Sequence, residues 1–371
     1  MRPAPFPQLD RRAVAAGLAA LALPGCATTR PESAASTAAR GLCLPPVKAS
    51  PDRMIRAVAG LRPYRKSGFV VRRDTLGDTA LVHNYGHGGA GITLSWGTSR
   101  LAVDLGLPGH TGPVAVIGCG VMGLSTARLV QDAGFAVTIY TDDLPPATTS
   151  NIAGGQWHPY GHFDRDSVTP QWRAQFLAAA DYSWRRFQLM IGDAYGIRWL
   201  PTYNLGGTER QLLPTFPPEN HELTRAQHPF PIDRAARFTT MYVETGRYLR
   251  QLIRDFRIAG GAIARRKFTA PGQLAELPES LVFNCTGLGS HNLFGDTGMT
   301  PARGQLAILL PQPEIEYAYT GRFGYMFPRP DGILLGGTFE TGQWDATPQD
   351  ADIARIIDGH RRLHADLRCP A

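Results

Sequence analysis

The sequence predicts an α/β fold organised around a dinucleotide-binding unit, and three observations carry that prediction. Val114-Ala115-Val116-Ile117 is a short, β-branched apolar run, the pattern of a buried parallel strand. Gly118-Cys119-Gly120-Val121-Met122-Gly123 follows it at once and fits G-x-G-x-x-G. Leu124 to Ala133 then reads as a helix stopped by Gly134, and Phe135 to Tyr140 as a second apolar strand with Asp142 just beyond. Each glycine has a separate task. Gly118 permits the tight turn, Gly120 lets a pyrophosphate approach the backbone, and Gly123 lets helix and strand pack closely. The helix N-terminus, at Val121 and Met122, offers unpaired N–H groups and a partial positive charge to an anion.

A chain of 371 residues exceeds one compact core and predicts two domains. The net charge of +7 comes mainly from scattered arginines, not from a basic stripe with interleaved aromatics. That distribution points away from nucleic acid as a partner. Arg11-Arg12 precedes an apolar run, Ala13 to Leu23, too short for a permanent membrane span. The pair suggests the twin-arginine export machinery, which carries folded proteins. Leu23-Pro24-Gly25-Cys26 is similar to a lipoprotein processing site, so Cys26 is a candidate lipid anchor, with ordinary cleavage further on as the alternative. Thr28 to Arg40 reads as a small-residue, polar tether.

Beyond the tether, Ser50 to Ala59 has helical spacing, with Met54, Ile55 and Val58 on one side. Phe69-Val70-Val71 and Ala80-Leu81-Val82 read as strands around a turn at Gly77-Asp78. His83 to Gly91 is a glycine-rich run before a helix from about Thr93 to Leu105, a second candidate anion site. Leu105 to Pro113 is a linker into the dinucleotide strand. Pro170 to Tyr195 and Val243 to Gly260 read as amphipathic helices, Gly261 to Phe268 and Ser280 to Cys285 as strands, the latter ended by a turn from Thr286 to Gly289. A strand opens at Arg303-Gly304-Gln305, paired strands flank Asp331-Gly332, and Asp352 to Leu367 is a last amphipathic helix.

Together these segments resemble the D-amino-acid oxidase family of FAD enzymes. The resemblance runs through Gly118 to Ser125, Thr148 to Tyr160, Asn284 to Gly287, Arg303 to Gln305 and Tyr325 to Trp344, with Gly60 to Arg65 and His83 to Thr93 the most specific pieces. It implies an FAD-binding Rossmann-like domain plus an α+β substrate domain with a mixed or antiparallel sheet. Residues 1–40 are then leader and tether; 41–67, 162–245 and 303–371 the substrate domain; 68–161 and 246–302 the FAD-binding domain. In the family the GLRP and HNYGHGG segments close the chain, whereas here they precede the dinucleotide strand. The chain therefore looks circularly permuted, with old termini joined through Leu105 to Pro113 and new ones opened near Cys43 and Cys369. Permutation is tolerated because domain termini often lie close together at the surface.

The resemblance implies roles residue by residue. Gly118, Gly120 and Gly123 face the pyrophosphate, Asp142 the adenosine ribose, and Thr148, Thr149 and Ser150 the phosphates. Gly155, Gln156 and Trp157 run along the isoalloxazine, and Gly88, Gly89, Gly91, Ile92 and Thr93 form the loop at its pyrimidine end. Val121, Met122, Phe268 and Thr286 complete the implied cofactor contacts. Arg62 grips the substrate carboxylate, assisted by the Tyr325 hydroxyl. A guanidinium meets a carboxylate through two parallel hydrogen bonds, which fixes orientation as well as charge. No metal or nucleophile is required, and His83 and His87 read as hydrogen-bonded structure, not ligands. Three departures stand out. Asp143 replaces a basic residue, His158 an amide, and the family's second aromatic position falls near Gly321, with Tyr317 and Tyr319 close by in sequence.

The implied activity is oxidation of D-amino acids with O2 as acceptor, giving H2O2, by an exported periplasmic or lipid-anchored enzyme. An amine or imino-acid dehydrogenase feeding a membrane carrier, and a flavin-binding protein without turnover, remain as alternatives. Permutation also brings Cys43 and Cys369 together, and an oxidising compartment favours a bond between them. Cys119, in the glycine loop, and Cys285, in a buried strand, are expected to stay free.

Overall fold

The computed structural model describes residues 43–369. The Arg11-Arg12 leader, Cys26 and the tether lie outside the described residues.

The chain opens with β1 (Met54–Arg65), the hairpin β2 (Val70–Leu76) and β3 (Thr79–Tyr85), and α1 (Gly91–Gly106). The dinucleotide unit follows as β4 (Val114–Ile117), α2 (Val121–Asp132) and β5 (Val137–Thr141), then the short α3 (Thr149–Ile152) and the long α4 (Pro170–Gln188). Next come β6 (Ile197–Leu205), β7 (His221–Thr224), β8 (Arg234–Val243) and α5 (Thr245–Ile258). After them stand β9 (Ala262–Arg265), α6 (Gly272–Ala275), β10 (Leu281–Asn284) and α7 (Ser290–Phe294). The last part holds β11 (Met299–Leu309), β12 (Ala318–Gly321), β13 (Gly324–Arg329), β14 (Gly332–Gly336), β15 (Glu340–Thr341) and α8 (Asp350–Ala365).

Two sheets result. The first has six strands in the order β2-β3-β10-β4-β5-β9. All neighbours from β3 to β9 are parallel, and β2 closes one edge antiparallel. Its central strands, β10 and β4, are buried along their whole length. The second sheet has nine strands, β1-β11-β14-β13-β12-β6-β8-β7 with β15 on β11, and is antiparallel except where β12 meets β6. The helices over the parallel sheet approach closely. A Cβ at Gly97 of α1 would overlap the Ala179 carbonyl of α4, and the Gly97 N–H donates to Ser183 Oγ at 2.7 Å. α4 is started by Thr169, whose hydroxyl accepts from the Trp172 N–H at 3.1 Å, with Pro170 in the first turn.

The sequence reading needs correction at β1. Ser50 to Ala59 is not a helix: after one turn at Pro51–Arg53 the chain runs extended and pairs with β11 as far as Arg65. Ala57 packs against one apolar cluster and Val58 against the other, while Met54 and Ile55, which set the helical spacing together with Val58, are exposed. α4 also stops at Gln188, short of Tyr195, because the chain reverses at Gly192, where φ is +124°. Cys43 and Cys369 are joined by a disulfide with a Cα–Cα distance of 4.7 Å, and Cys119 and Cys285 are free and buried.

Candidate active site

One cleft of about 1530 Å³ runs from the carboxyl ends of the parallel strands to the face of the nine-stranded sheet. That is above the roughly 300–1,000 Å³ of a drug-sized pocket and leaves room for a dinucleotide and a substrate together.

The parallel-sheet end is shaped by glycine. Gly118 turns at φ +107°, and a Cβ there would lie 2.7 Å from the Cys285 carbonyl oxygen. At Gly120 an added Cβ would meet only Ser150 Oγ, at 3.3 Å, so the backbone lies open to the cleft. Ser150 Oγ accepts the Val121 N–H at 3.1 Å, and the other first-turn amides of α2 have no partner within the helix. Thr148, Thr149 and Ser150 line the cleft beside this turn, Thr286 borders it from the end of β10, and Asp142 lies at its outer rim with Phe268. Lys267 Nζ is 2.7 Å from Asp142 Oδ2, and the Arg266 guanidinium sits 4.8 Å from the Phe268 ring centre.

Gly88, Gly89, Gly91, Ile92 and Thr93 border the same cleft as Gly118 and Gly120, although the chain reaches them before β4. The Gly89 N–H donates to the Gly161 carbonyl at 3.0 Å, and a Cβ at Gly88 would come within 2.8 Å of that oxygen. α1 starts at Gly91, so its positive end faces the cleft. Gly155 and Gln156 line the wall between the two glycine segments. Gly155 has φ +90°, and a Cβ there would strike the Val243 carbonyl; Gln156 Nε2 donates to the Tyr242 hydroxyl at 2.9 Å.

Two of the expected positions do not border the cleft. Trp157 is fully buried, its ring 4.7 Å from those of Trp184 and Phe216 and its backbone N–H donating to the Met241 carbonyl at 2.8 Å. Gly123 lies under the turn, where a Cβ would collide with the Gly118 carbonyl; it serves the packing of α2 on β4.

At the sheet end, Arg62 projects from β1 over Gly304 of β11, where a Cβ would overlap the guanidinium nitrogens. Arg62 Nη1 donates to the Ala302 and Thr338 carbonyls at 3.3 and 3.2 Å, and Phe339 lies 5.4 Å from Cζ. Tyr325 stands beside it on β13, stacked on Phe327 at 4.5 Å. Burial pushes the Tyr325 hydroxyl above its ordinary pKa, against the opposing pull of the Arg62 guanidinium, so the phenol keeps its proton. Tyr317 and Tyr319 do not reach the cleft: one hydroxyl donates to the Pro45 carbonyl and the other bonds His360 and His364. Asp143 and His158 both line it. His83 and His87 are hydrogen-bonded to Asn284 and Thr98, at 3.0 and 2.9 Å.

Sequence reasoning missed part of the wall. Asn204, Glu209, Phe216, Phe238 and Thr320 come from separate stretches with no motif between them. Nothing in the sequence signals them beyond alternation along β6 and β8.

The walls fit FAD. Positive-φ glycines and unpaired helix N–H groups meet the demands of a pyrophosphate, and an acid stands near where a ribose would follow. Comparison with known proteins agrees. A family model described as FAD dependent oxidoreductase matches residues 13–105 and 113–370. The D-amino-acid oxidase of Streptomyces coelicolor is 31% identical over 263 residues, covering 66% of this chain and 75% of its own. The D-aspartate oxidase of Homo sapiens is 32% identical over 264 residues, covering 67% and 74%. Glycine oxidase from Geobacillus kaustophilus has a similar fold, with a TM-score of 0.53 at 15% identity over 68% of this chain and 77% of that one.

Proposed function

The chain belongs to the FAD dependent oxidoreductase family, matched along nearly its whole length, and on that premise we propose that it oxidises D-amino acids to imino acids, with O2 as acceptor and H2O2 as product. FAD, when bound, supplies the acceptor for the hydride leaving Cα. The protein supplies the rest, and the observation that carries the reading is Arg62 beside Tyr325 on the wall that faces both glycine segments. Two backbone carbonyls hold one edge of the Arg62 guanidinium, which leaves its other N–H groups to take a carboxylate. The protonated Tyr325 hydroxyl adds a donor to the same carboxylate. Held at two points, the amino acid presents its Cα–H in one orientation. Gly118, Gly120, Val121, Met122 and the Thr148–Ser150 hydroxyls would hold the pyrophosphate, Asp142 the ribose, with Phe268 and Thr286 alongside. Gly155, Gln156 and the Gly88–Thr93 loop would hold the ring system.

The unusual chain order is read as circular permutation. It is supported by β1 and β3 completing both sheets from the front of the chain. The break in the family match at residues 106–112 and the disulfide near both ends of the described chain support it further. The same disulfide and the Arg11-Arg12 leader support export to an oxidising compartment, with Cys26 as a candidate anchor.

The test is direct. Purified protein should be yellow and release FAD on denaturation. Mixed without air with D- and L-amino acids, its flavin should bleach with D-forms alone, and admitted oxygen should restore the colour and yield peroxide. Bleaching by L-forms alone, or by none, would overturn the reading.

A further inference from the structure

We propose that Glu209, held by His158, forms a subsite that selects amino acids with a cationic side chain. The inference rests on the amino-acid oxidase reading and deepens it.

Three residues mark a path along the sheet. Tyr325 of β13 is in register with Thr320 of β12, and Thr320 with Asn204 of β6. Register partners face the same side of a sheet, and all three border the cleft. Neighbouring strands lie about 4.8 Å apart, so the row runs roughly 10 Å from the Tyr325 backbone on β13 to β6. Gly321 and Gly324, paired beside this row, border the cleft as well.

Glu209 stands at the far end of that row. Past Leu205 the chain folds back, and Asn204 Nδ2 donates to the Thr208 carbonyl at 3.2 Å. Asn220 Nδ2 donates to the Glu209 carbonyl at 3.0 Å. The Glu209 carboxylate accepts from His158 Nε2 at 3.1 Å, and its side chain is only 12% exposed. Phe216 and Phe238 back the imidazole, with ring centres 5.7 and 6.0 Å away. Among the described residues no lysine or arginine pairs with Glu209, and Arg210, next to it, is exposed. The His158 N–H orients the carboxylate, which borders the cleft.

The charge pattern follows. One wall of the cleft offers a guanidinium to the α-carboxylate, and another offers a carboxylate. That pairing of opposite charges suits a lysine or arginine with a hydrogen bond at each end. An acidic side chain would meet Glu209 as a like charge, which is discrimination by repulsion.

The holoenzyme tests this in two ways. Anaerobic flavin reduction should be about tenfold or more faster, at limiting substrate, with D-lysine or D-arginine than with D-norleucine, and slowest with D-glutamate. Glu209→Gln should collapse the lysine-to-norleucine ratio about tenfold, and Glu209→Asp should retain a preference for lysine. The second measurement needs no turnover. By perturbation of the flavin spectrum, wild-type protein should bind ε-aminocaproate more tightly than caproate, and Glu209→Gln should lose that difference. Equal binding of the two acids by wild-type protein, or an unchanged ratio in Glu209→Gln, overturns the subsite. If no D-amino acid reduces the flavin while ε-aminocaproate is still preferred, the D-amino-acid reading falls and the cationic subsite stands.

Discussion

At the glycine-rich end of the cleft the walls are main chain, and at the sheet end they are side chains. Gly118, Gly120, Gly155 and Gly88 act by what they lack: three have positive φ, and a Cβ would strike backbone at those three. Arg62, Tyr325, Thr320, Asn204 and Glu209 act by what they carry, each from a different element. The first kind of wall tolerates few residue types and is local in sequence. The second is assembled by strand register from distant parts of the chain. The two ends should therefore fail differently when mutated.

The largest expected effect is at Arg62. Arg62→Ala should keep its FAD and lose activity, mainly in kcat/KM, by about 2–5 kcal/mol, the usual cost of removing one partner of a partly buried charged contact. Wild-type turnover in this variant would remove Arg62 from the site and erase the contrast between the ends.

Next comes the covalent closure of the described chain. The Cys43–Cys369 bond spans 326 residues. Cys43→Ser or Cys369→Ser should cost about 2–4 kcal/mol in denaturant unfolding. Reduction of the wild type should give the same loss. FAD content should not change, since neither cysteine borders the cleft.

Gly118→Ala tests the main-chain end. Alanine at φ +107° costs about 1–3 kcal/mol in strain, and its Cβ would press on the Cys285 carbonyl. The variant should purify with less FAD and a lower Tm, the reverse of Arg62→Ala. Full FAD content would show that the turn relaxes without harm to the phosphate site.

This asymmetry also explains what the sequence made legible. The β4–α2–β5 unit could be read because strand, glycines and helix are consecutive and each is forced by a local steric demand. The paired strands around Asp331-Gly332 and the helix α8 were equally local. The start of β1 reads as a helix because Met54, Ile55 and Val58 fall at helical spacing, although Met54 and Ile55 are exposed on the strand. Within the stretch assigned to the substrate domain, no element is legible from Ile197 to Tyr242, yet it supplies β6, most of β8 and the Glu209 loop. Its strands carry polar and proline residues, and their place is fixed by pairing with β12, far along the chain. Glu209 itself is one acid in an irregular loop, and only the fold brings it to His158.

The smallest expected effect concerns side-chain chemistry just behind the sheet. The Val47 N–H donates to His364 Nδ1 at 3.3 Å, so the His364 proton sits on Nε2 and is donated to the Tyr319 hydroxyl at 2.9 Å. Tyr319 in turn donates to His360 Nδ1 at 2.6 Å, and His360 Nε2 donates to the Gly336 carbonyl at 3.4 Å. The chain of bonds is complete only with both imidazoles neutral, and it ties α8 and the segment at Val47 to β14. Tyr319→Phe would leave one buried donor and one buried acceptor without partners, a loss of about 1–3 kcal/mol near pH 7.5. Burial pushes His360 down to about 4 and His364 to about 3, while the unfolded chain protonates from about pH 6.5 downward. The unfolded state then binds more protons than the folded one, so stability is full above about pH 6.5 and falls toward pH 4. His87 and His162, each pushed down to about 3 by burial, add to the same slope from the other end of the cleft. Urea unfolding of wild type and Tyr319→Phe across this range separates the contributions. The variant should lose stability at neutral pH with its FAD retained, because Tyr319 does not border the cleft. A wild-type stability that stays flat from about pH 7 to pH 5 would mean that these histidines are not held neutral, and the network as described would be wrong.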